Sequence, residues 1–368
     1  MKICILTSGH DIFDNRIYYK EILSLKKEYS DIYLIAPGNK DFITEDGIKV
    51  KTFQGRKSWH DRLRPMNRMH KLALEVNADI YHAHEPDSFQ IAIKLKKKLG
   101  CKIIYDSHEY HPQGFAEHFK FGKTIITKLI YGYEKRNAKK ADYIISVNDI
   151  LINKFKSYND KVELIPNYPV IDKPHIKKLN STPTFIYVGG LREDRGIFKI
   201  IQAIKKVNKP YKYYFIGPFE TNEFEIKVKE LCNDNISDGE IVFTGKIPHK
   251  DVFKYLSMAH VGFVLLQPDN WRYINSEPIK LFEYMMTETA IIASDFPMMK
   301  SIINEGKSGV VVDPTDVNEL SNVIVKLGND LNSTMNMGKN GVNIVKEKYN
   351  WSICEERLLN LYRKLSKY

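Results

Sequence analysis

The residues of this chain best placed to do chemistry are basic, and they sit beside glycines. Phe185-Ile-Tyr-Val-Gly189-Gly190-Leu-Arg192-Glu-Asp-Arg195-Gly196 runs from a strand-like segment into a glycine turn and then towards a helix. Glycines at such a join let backbone N–H groups approach a phosphate. Arg192 and Arg195 add planar donors suited to phosphate oxygens. The run is neither Gly-x-Gly-x-x-Gly nor a Walker loop, because Leu191 and Glu193 interrupt it; a plain structural turn is the competing reading. Further on, Trp271 to Pro297 reads as a loop, a helix, a short connection and a buried strand. Pro278 suits a first helical turn, and Ser276 or Glu277 can cap it. Lys280 and Glu283 lie three apart, on one side of that helix. A helix start at the carboxyl edge of a parallel sheet suits a phosphate, to which Lys280 adds a full charge, while Glu283 can accept from sugar hydroxyls. The alternative is an amphipathic helix whose Lys280 and Glu283 form a solvated pair.

Other groups are less specific. Phe243-Thr-Gly245-Lys-Ile247-Pro248 is a strand and a tight turn, where Ile247 and nearby backbone can hold a flat base or simply make the turn. His82 and His84 in one strand end, with His108 and His111 after the next, have the residue types of a metal site. No Asp-x-Asp pair accompanies them to hold a metal–diphosphate, and arginine and lysine can neutralise a diphosphate instead. The expectation is therefore no metal, with structural roles for His82 and His84.

The elements that position these groups alternate strand and helix along the whole chain. That pattern predicts an α/β fold with parallel sheets covered on both faces. It runs over 1–167, breaks at 167–183 around Pro169, Pro174 and Pro183, and resumes over 181–350. The break reads as a linker between two doubly wound domains, with a cleft between them as the site. With 43% hydrophobic and 27% charged residues, 368 residues suffice for two such domains. No apolar run is long enough to cross a membrane, and the opening MKICILTSGHD is too short in its apolar part for a secretory signal. Cys4, Cys101, Cys232 and Cys354 lack Cys-x-x-Cys spacing and read as reduced thiols. A net charge of +11 favours anionic partners. Nothing beyond charge speaks for nucleic acid. Basic and apolar residues interleave over 56–71 and 117–140, either as a surface for anionic lipid or as core-facing helices with solvated outer faces.

In order and spacing, YVGGLREDRGI, FTGKIP, PIKLFEYM, IIASDFP and EGKSGVVVDPTD resemble the donor domain of the family-four retaining glycosyltransferases. DIYHAHEPD, IIYDSHEYHP, DYIISVN and the closing YNWSICEERLLNLYRKL extend the likeness over most of the chain. The resemblance implies the GT-B fold, two facing Rossmann-like domains, with acceptor contacts in 1–167, donor contacts in 181–350 and a final helix, 351–368, returning to the first domain. By position it implies that Arg195 and Lys280 hold the donor diphosphate and that His108 lies near the reacting sugar. It makes Gly189, Gly190, Arg192, Ile247, Ser276, Glu277 and Glu283 donor-binding candidates, Glu283 at the ribose. Asp14, Arg16, Asp87 and Glu109 become acceptor-side candidates. Three departures stand out. Asn275 occupies the place of the first of two family glutamates. Gly190 replaces a phosphate-binding arginine, for which Arg192 can substitute. The family's glycine-rich first loop is replaced by Gly9-His10-Asp11-Ile-Phe-Asp14-Asn-Arg16.

The resulting expectation is a metal-independent hexosyltransferase without a cofactor. It would move a sugar, with retention, from a nucleotide diphosphate to a hydroxyl of a glycan or lipid-linked glycan, in the cytoplasm or at the inner face of the membrane. The alternatives are a nucleotide-sugar-binding protein without transfer activity, suggested by Asn275, and a sugar epimerase or phosphorylase of similar architecture.

Overall fold

A computed structural model of the chain describes residues 1–56, 61, 63–108, 122–171, 176–233 and 239–366. These fall into two compact units, 1–167 with 351–368, and 168–350.

The first unit is built on one sheet. Its strands are Lys2–Leu6 (β1), Asp31–Pro37 (β2), Phe42–Ile43 (β3), Lys49–Phe53 (β4), Ile80–His84 (β5), Lys102–Ser107 (β6), Tyr143–Ser146 (β7) and Val162–Leu164 (β8). They lie in the order β3-β4-β2-β1-β5-β6-β7-β8, all parallel except the β3–β4 pair. Ile3, Cys4, Ile5 and Leu6 are all buried, as expected of a central parallel strand covered on both faces. Strand order reverses direction between β1 and β5, and the carboxyl edge at such a switch point is where open α/β sheets bind ligands.

The second unit repeats the plan with Thr184–Val188 (β9), Lys212–Ile216 (β10), Glu240–Gly245 (β11), Val261–Val264 (β12), Ala290–Ser294 (β13) and Gly309–Val312 (β14). The order is β11-β10-β9-β12-β13-β14, with every pair parallel. Alternation along the strands divides the core. Phe185, Phe215 and Phe263 pack on one face, and Ile186, Val264 and Ile291 on the other. Here the switch point lies between β9 and β12.

Several local expectations change. Residues 176–183 do not form a free linker. Lys177 donates to the Leu256 carbonyl and Thr289 Oγ1 at 3.0 and 2.7 Å, and Lys178 and Asn180 bond the 257–258 backbone, so the segment is tied along the second unit. The first helical segment opens as a π-type turn, Ile17–Ile22, before an α turn, Leu23–Lys26. Helices at Asp149–Lys156, Trp271–Ile274 and Pro297–Gly306 appear where loops or nothing were expected. Of the basic helix expected over 117–140, residues 117–121 lie outside the described residues and the rest is Lys123–Ala138.

The final helix, Trp351–Ser366, packs in the first unit. Buried Trp351 donates its indole N–H to Ser24 Oγ at 2.9 Å, and Ser24 donates to Glu355 at 2.7 Å. Leu358, Leu361 and Tyr362 complete its buried face.

Candidate functional site

In the second unit the basic residues gather at the end of β9. The anchor is Tyr284, buried on the helix Ile279–Met286. Its ring packs against Gly262, where an added Cβ would lie 2.5 Å from the ring. Its hydroxyl accepts the Val188 N–H at 3.0 Å. This pins the helix to the strand edge, and Lys280, one turn earlier on the same side, is carried to the glycine turn. Lys280 Nζ lies 3.1 Å from the Tyr187 hydroxyl and 4.2 Å above its ring. It is therefore not the solvated residue of the alternative reading.

Arg195 reaches the same place from the turn after Gly190. A Cβ added to Gly189, whose φ is +128°, would stand 3.1 Å from Lys280 Nζ and 3.4 Å from Arg195 Nη1. Two cations thus converge on a space that only glycine leaves open. Burial, then the neighbouring Arg195 charge, pushes the Lys280 ammonium down to about 7. The buried Nε of Arg195 has no hydrogen-bond partner among the described residues. An anion here would relieve the repulsion between the two cations.

The other donor-side candidates have different settings. Arg192 is held by Asp194 at 3.0 and 3.2 Å and by Glu220 at 3.1 Å, so its fork is already engaged by carboxylates. Tyr273 also bonds Asp194, at 3.0 Å. Neither Ser276 nor Glu277 caps the helix: the cap position is Pro278, without a side-chain bond, and Ser276 donates to the Tyr273 carbonyl instead. Pro278 has an extended backbone, with ψ 131°, so it stands at the cap rather than in the first helical turn, and the cap falls one or two residues beyond those candidates. Asn275 donates to the Trp271 carbonyl at 2.8 Å, closing the short turn capped by Asn270. Ile247 is half-buried just beyond β11 and packs on the second unit's core. Glu283 is half-buried on the helix carrying Lys280.

In the first unit the candidates occupy the carboxyl edge of β1, β5 and β6. Arg16 is buried beneath that edge. It lies 2.8 Å from Asp106 and 2.9 Å from Glu21, and donates to the Ile165 carbonyl at 3.0 Å. As an acceptor contact it is therefore corrected to an internal support, because its guanidinium is spent inside the fold. The π-type turn, with the Glu21 N–H bonded back to the Arg16 carbonyl, sets Glu21 under the guanidinium.

Glu21, His82, His84 and Asp106 each place one ligand-type atom within 4.8 Å of the others. Arg16, lying against both carboxylates, already supplies the cation of this cluster, and a metal would have to share the space with it. Burial pushes the His82 and His84 imidazoles down, towards the neutral form. Burial pushes Glu21 well up, whereas at Asp106 Arg16 and the facing imidazoles outweigh burial and hold the carboxyl well below its usual range. His82 Nδ1 lies 2.9 Å from the Tyr362 hydroxyl, tying the cluster to the final helix. This is a buried ionic support under the site edge.

Above it, His108 is largely buried, with Nδ1 3.2 Å from Asp106. Its Nε2 lies 3.2 Å from Nε2 of His10, a residue the sequence did not single out. Asp14 faces His10 Nδ1 at 3.2 Å and accepts the Arg16 and Ile17 amides. Burial works to raise the Asp14 carboxyl, but these bonds outweigh it and bring it to about 2. Asp87 is buried 3.8 Å from Arg56. Glu109 and His111 lie outside the described residues. Glu85, also not singled out, stands 3.3 Å from His10. The signal for His10 was the departure of the first loop from its glycine-rich form.

Two doubly wound parallel units, each with functional groups at the carboxyl edge of its switch point, define the GT-B class of fold. The Anabaena protein HepE, solved in complex with UDP, shares it with a TM-score of 0.73 over all of both chains at 14% identity. An uncharacterized glycosyltransferase of Methanocaldococcus jannaschii is 24% identical over 74% of this chain and 70% of its own length. The capsular polysaccharide biosynthesis glycosyltransferase CapM of Staphylococcus aureus is 27% identical over 59% of this chain, which spans about half (53%) of that protein. Family models match in tandem: Glycosyltransferase Family 4 over residues 22–168 and Glycosyl transferases group 1 over residues 171–343. The chain belongs to these family-four glycosyltransferases.

Proposed function

We propose that the protein is a retaining, metal-independent hexosyltransferase that moves a sugar from a nucleotide diphosphate to a hydroxyl of a glycan or lipid-linked glycan during polysaccharide synthesis. The observation that carries this reading is the convergence of Lys280 and Arg195 on the open space at Gly189. In such a transfer negative charge grows on the departing diphosphate, and fixed cations there lower the barrier. Arg195 and Lys280 are the groups for that charge, which leaves a metal with no part to play. Gly189 and Gly190 let the phosphates approach the backbone. Glu283 accepts from the ribose, Ile247 and the 245–247 backbone border the base, and His108 belongs to the group that orients the sugar. The complex of HepE with UDP supports a nucleotide donor, and the name of CapM supports a polysaccharide product.

The test is a thermal-shift panel of nucleotide sugars and nucleoside diphosphates, followed by release of the nucleoside diphosphate from the sugar that stabilises most. At a hundred times its dissociation constant a ligand stabilises the fold by about 2.7 kcal/mol. Absence of any shift from UDP, GDP, ADP or dTDP and their sugars would refute the donor assignment.

A second reading concerns place of action. Among the described residues no helix is long and apolar enough to cross a membrane. On the helix Lys123–Ala138, however, Ile125 and Leu129 are 66% and 69% exposed, beside Lys123, Lys128, Lys135 and Arg136. Apolar tips among cations suit the surface of an anionic membrane. Sedimentation with anionic but not neutral vesicles at low salt is the expected result, and equal recovery with both would remove this reading.

A further inference from the structure

Two tyrosines cross at the end of β9 and work in opposite directions. Tyr284 reaches from the helix to the strand, where its hydroxyl accepts the Val188 N–H at 3.0 Å. Tyr187, the residue before Val188, reaches from the strand to the helix, and its hydroxyl lies 3.1 Å from Lys280 Nζ. The first bond fixes the helix against the sheet edge. The second acts on an ammonium at the tip of a long flexible stem, which a fixed backbone does not by itself aim.

The direction of each hydrogen at Tyr187 follows from its partners. A phenol has one hydrogen, and Tyr187 gives it to the Gly190 carbonyl at 3.0 Å. Towards Lys280, which only donates, the oxygen therefore accepts. That oxygen is also the part of the ring nearest the cation, at 3.1 Å against 4.2 Å to the ring centroid. Attraction to the ring is spread over a face. A bond to the oxygen instead takes up one N–H of the ammonium and leaves the others for the space beside Gly189. The Arg195 guanidinium faces the same phenol. Tyr187 is itself held in the buried core, its ring stacked on that of Phe215 at 6.3 Å between centroids. One rigid post thus carries both cations and the carbonyl of the glycine turn.

Resting on the donor reading above, we infer that Tyr187 is a positioning residue of the anion site: its oxygen aims the Lys280 N–H groups at the space beside Gly189, and its hydrogen holds the Gly190 carbonyl. It touches no substrate atom. A hydrogen bond to oxygen favours the charged donor over the neutral one. The phenol therefore opposes burial and Arg195, which together bring Lys280 to about 7, and without the oxygen that value falls further. The charged and titratable groups facing Lys280 are Arg195 of the turn, Glu283 of its own helix and Tyr187 of β9; Tyr273 in turn faces Arg195, and Asp194 faces Tyr187.

Two measurements on the full chain decide this. The first is a titration without ligand, following Cε of 13C-labelled lysine, with the Lys280 signal assigned by Lys280→Met. Tyr187→Phe keeps the ring, its stacking and its attraction for the cation, and removes only the oxygen. It is expected to lower the Lys280 midpoint by about one unit. Tyr213→Phe removes another buried phenol of the same core, whose oxygen has no hydrogen-bond partner among the described residues, and should leave the midpoint in place. A midpoint unmoved by Tyr187→Phe, or moved as far by Tyr213→Phe, would overturn the proposal.

The second is calorimetric affinity for UDP. A lower midpoint removes the charged form of Lys280 first at high pH. Tyr187→Phe is therefore expected to weaken UDP by about tenfold at pH 8 but only about twofold at pH 6. An equal loss at both, the mark of general damage to the fold, would overturn the positioning role. A parent that does not bind UDP at either pH would overturn the donor reading for this nucleotide and the aim at its phosphates, whereas the bond from Lys280 to Tyr187 stands or falls on the lysine spectra alone.

Discussion

Binding of a nucleoside diphosphate should be coupled to protonation of Lys280. In the free protein burial and Arg195 hold this ammonium at about 7, against an ordinary value of 10.5. A diphosphate against Nζ restores the charged form, so the bound value returns towards the ordinary one. Only protonated protein binds well, and affinity is therefore greatest below pH 7 and falls as pH rises through the free-protein value. With those two values the dissociation constant for UDP should weaken by about 50-fold between pH 7 and pH 9, or about 2.3 kcal/mol, nearly all of it on the Lys280 proton. Arg195 stays charged across this window, and Tyr187, pushed up to about 12 mainly by burial, stays neutral. The terminal phosphate of UDP titrates near 6 and contributes little above pH 7. Isothermal calorimetry at pH 8 in two buffers of different ionisation enthalpy should show uptake of about 0.9 proton per UDP. Lys280→Met should bind more weakly and with a flat profile over the same range. A UDP affinity in the parent that is constant from pH 7 to 9, with no proton uptake, would refute both the phosphate role of Lys280 and the reasoning about its charge.

Other outcomes can be checked alongside. Glu283→Ala should weaken UDP by roughly tenfold through loss of a charged acceptor for the ribose, and unchanged calorimetric affinity in a folded variant would remove that role. Turnover should survive EDTA; a rate that collapses with chelator and returns with manganese or magnesium would mean that the cations at Gly189 are not sufficient. Arg16→Met should destabilise the fold by about 3–5 kcal/mol in chemical denaturation, because it leaves Asp106 and Glu21 buried without their cation. Trp351→Ala should cost about 3–5 kcal/mol, read in the same way, from the lost packing of a buried indole.

What could be read in the sequence was local. Gly189, Arg195, Lys280 and Glu283 each lie on a strand–turn–helix whose periodicity is complete within a dozen residues, so their elements were legible. The convergence of Lys280 on Gly189 was not, because it depends on Tyr284 meeting Gly262 and Val188 across the sheet. His10 and His108 are 98 positions apart, and nothing in either neighbourhood signals the other. The burial of Arg16 was likewise hidden, since a loop arginine beside aspartates has the composition of a surface. The helix Asp149–Lys156 was missed although Asn148 caps it, accepting from the Leu151 N–H at 3.0 Å. Eight residues carry too short an apolar stripe to stand out from the strand before them.

The return of the last helix to the first unit has a consequence for biosynthesis. Ser24, His82 and the surface around them are translated early, but their partners Trp351, Glu355 and Tyr362 emerge only after the whole of 168–350. At ordinary elongation rates those roughly 180 residues take about 10–35 s. Throughout that interval the first unit lacks its closing helix, while the second, being continuous in the chain, has everything it needs to fold. The unit made first is thus the unit finished last, and a nascent chain arrested before residue 351 should expose an apolar groove to which chaperones bind.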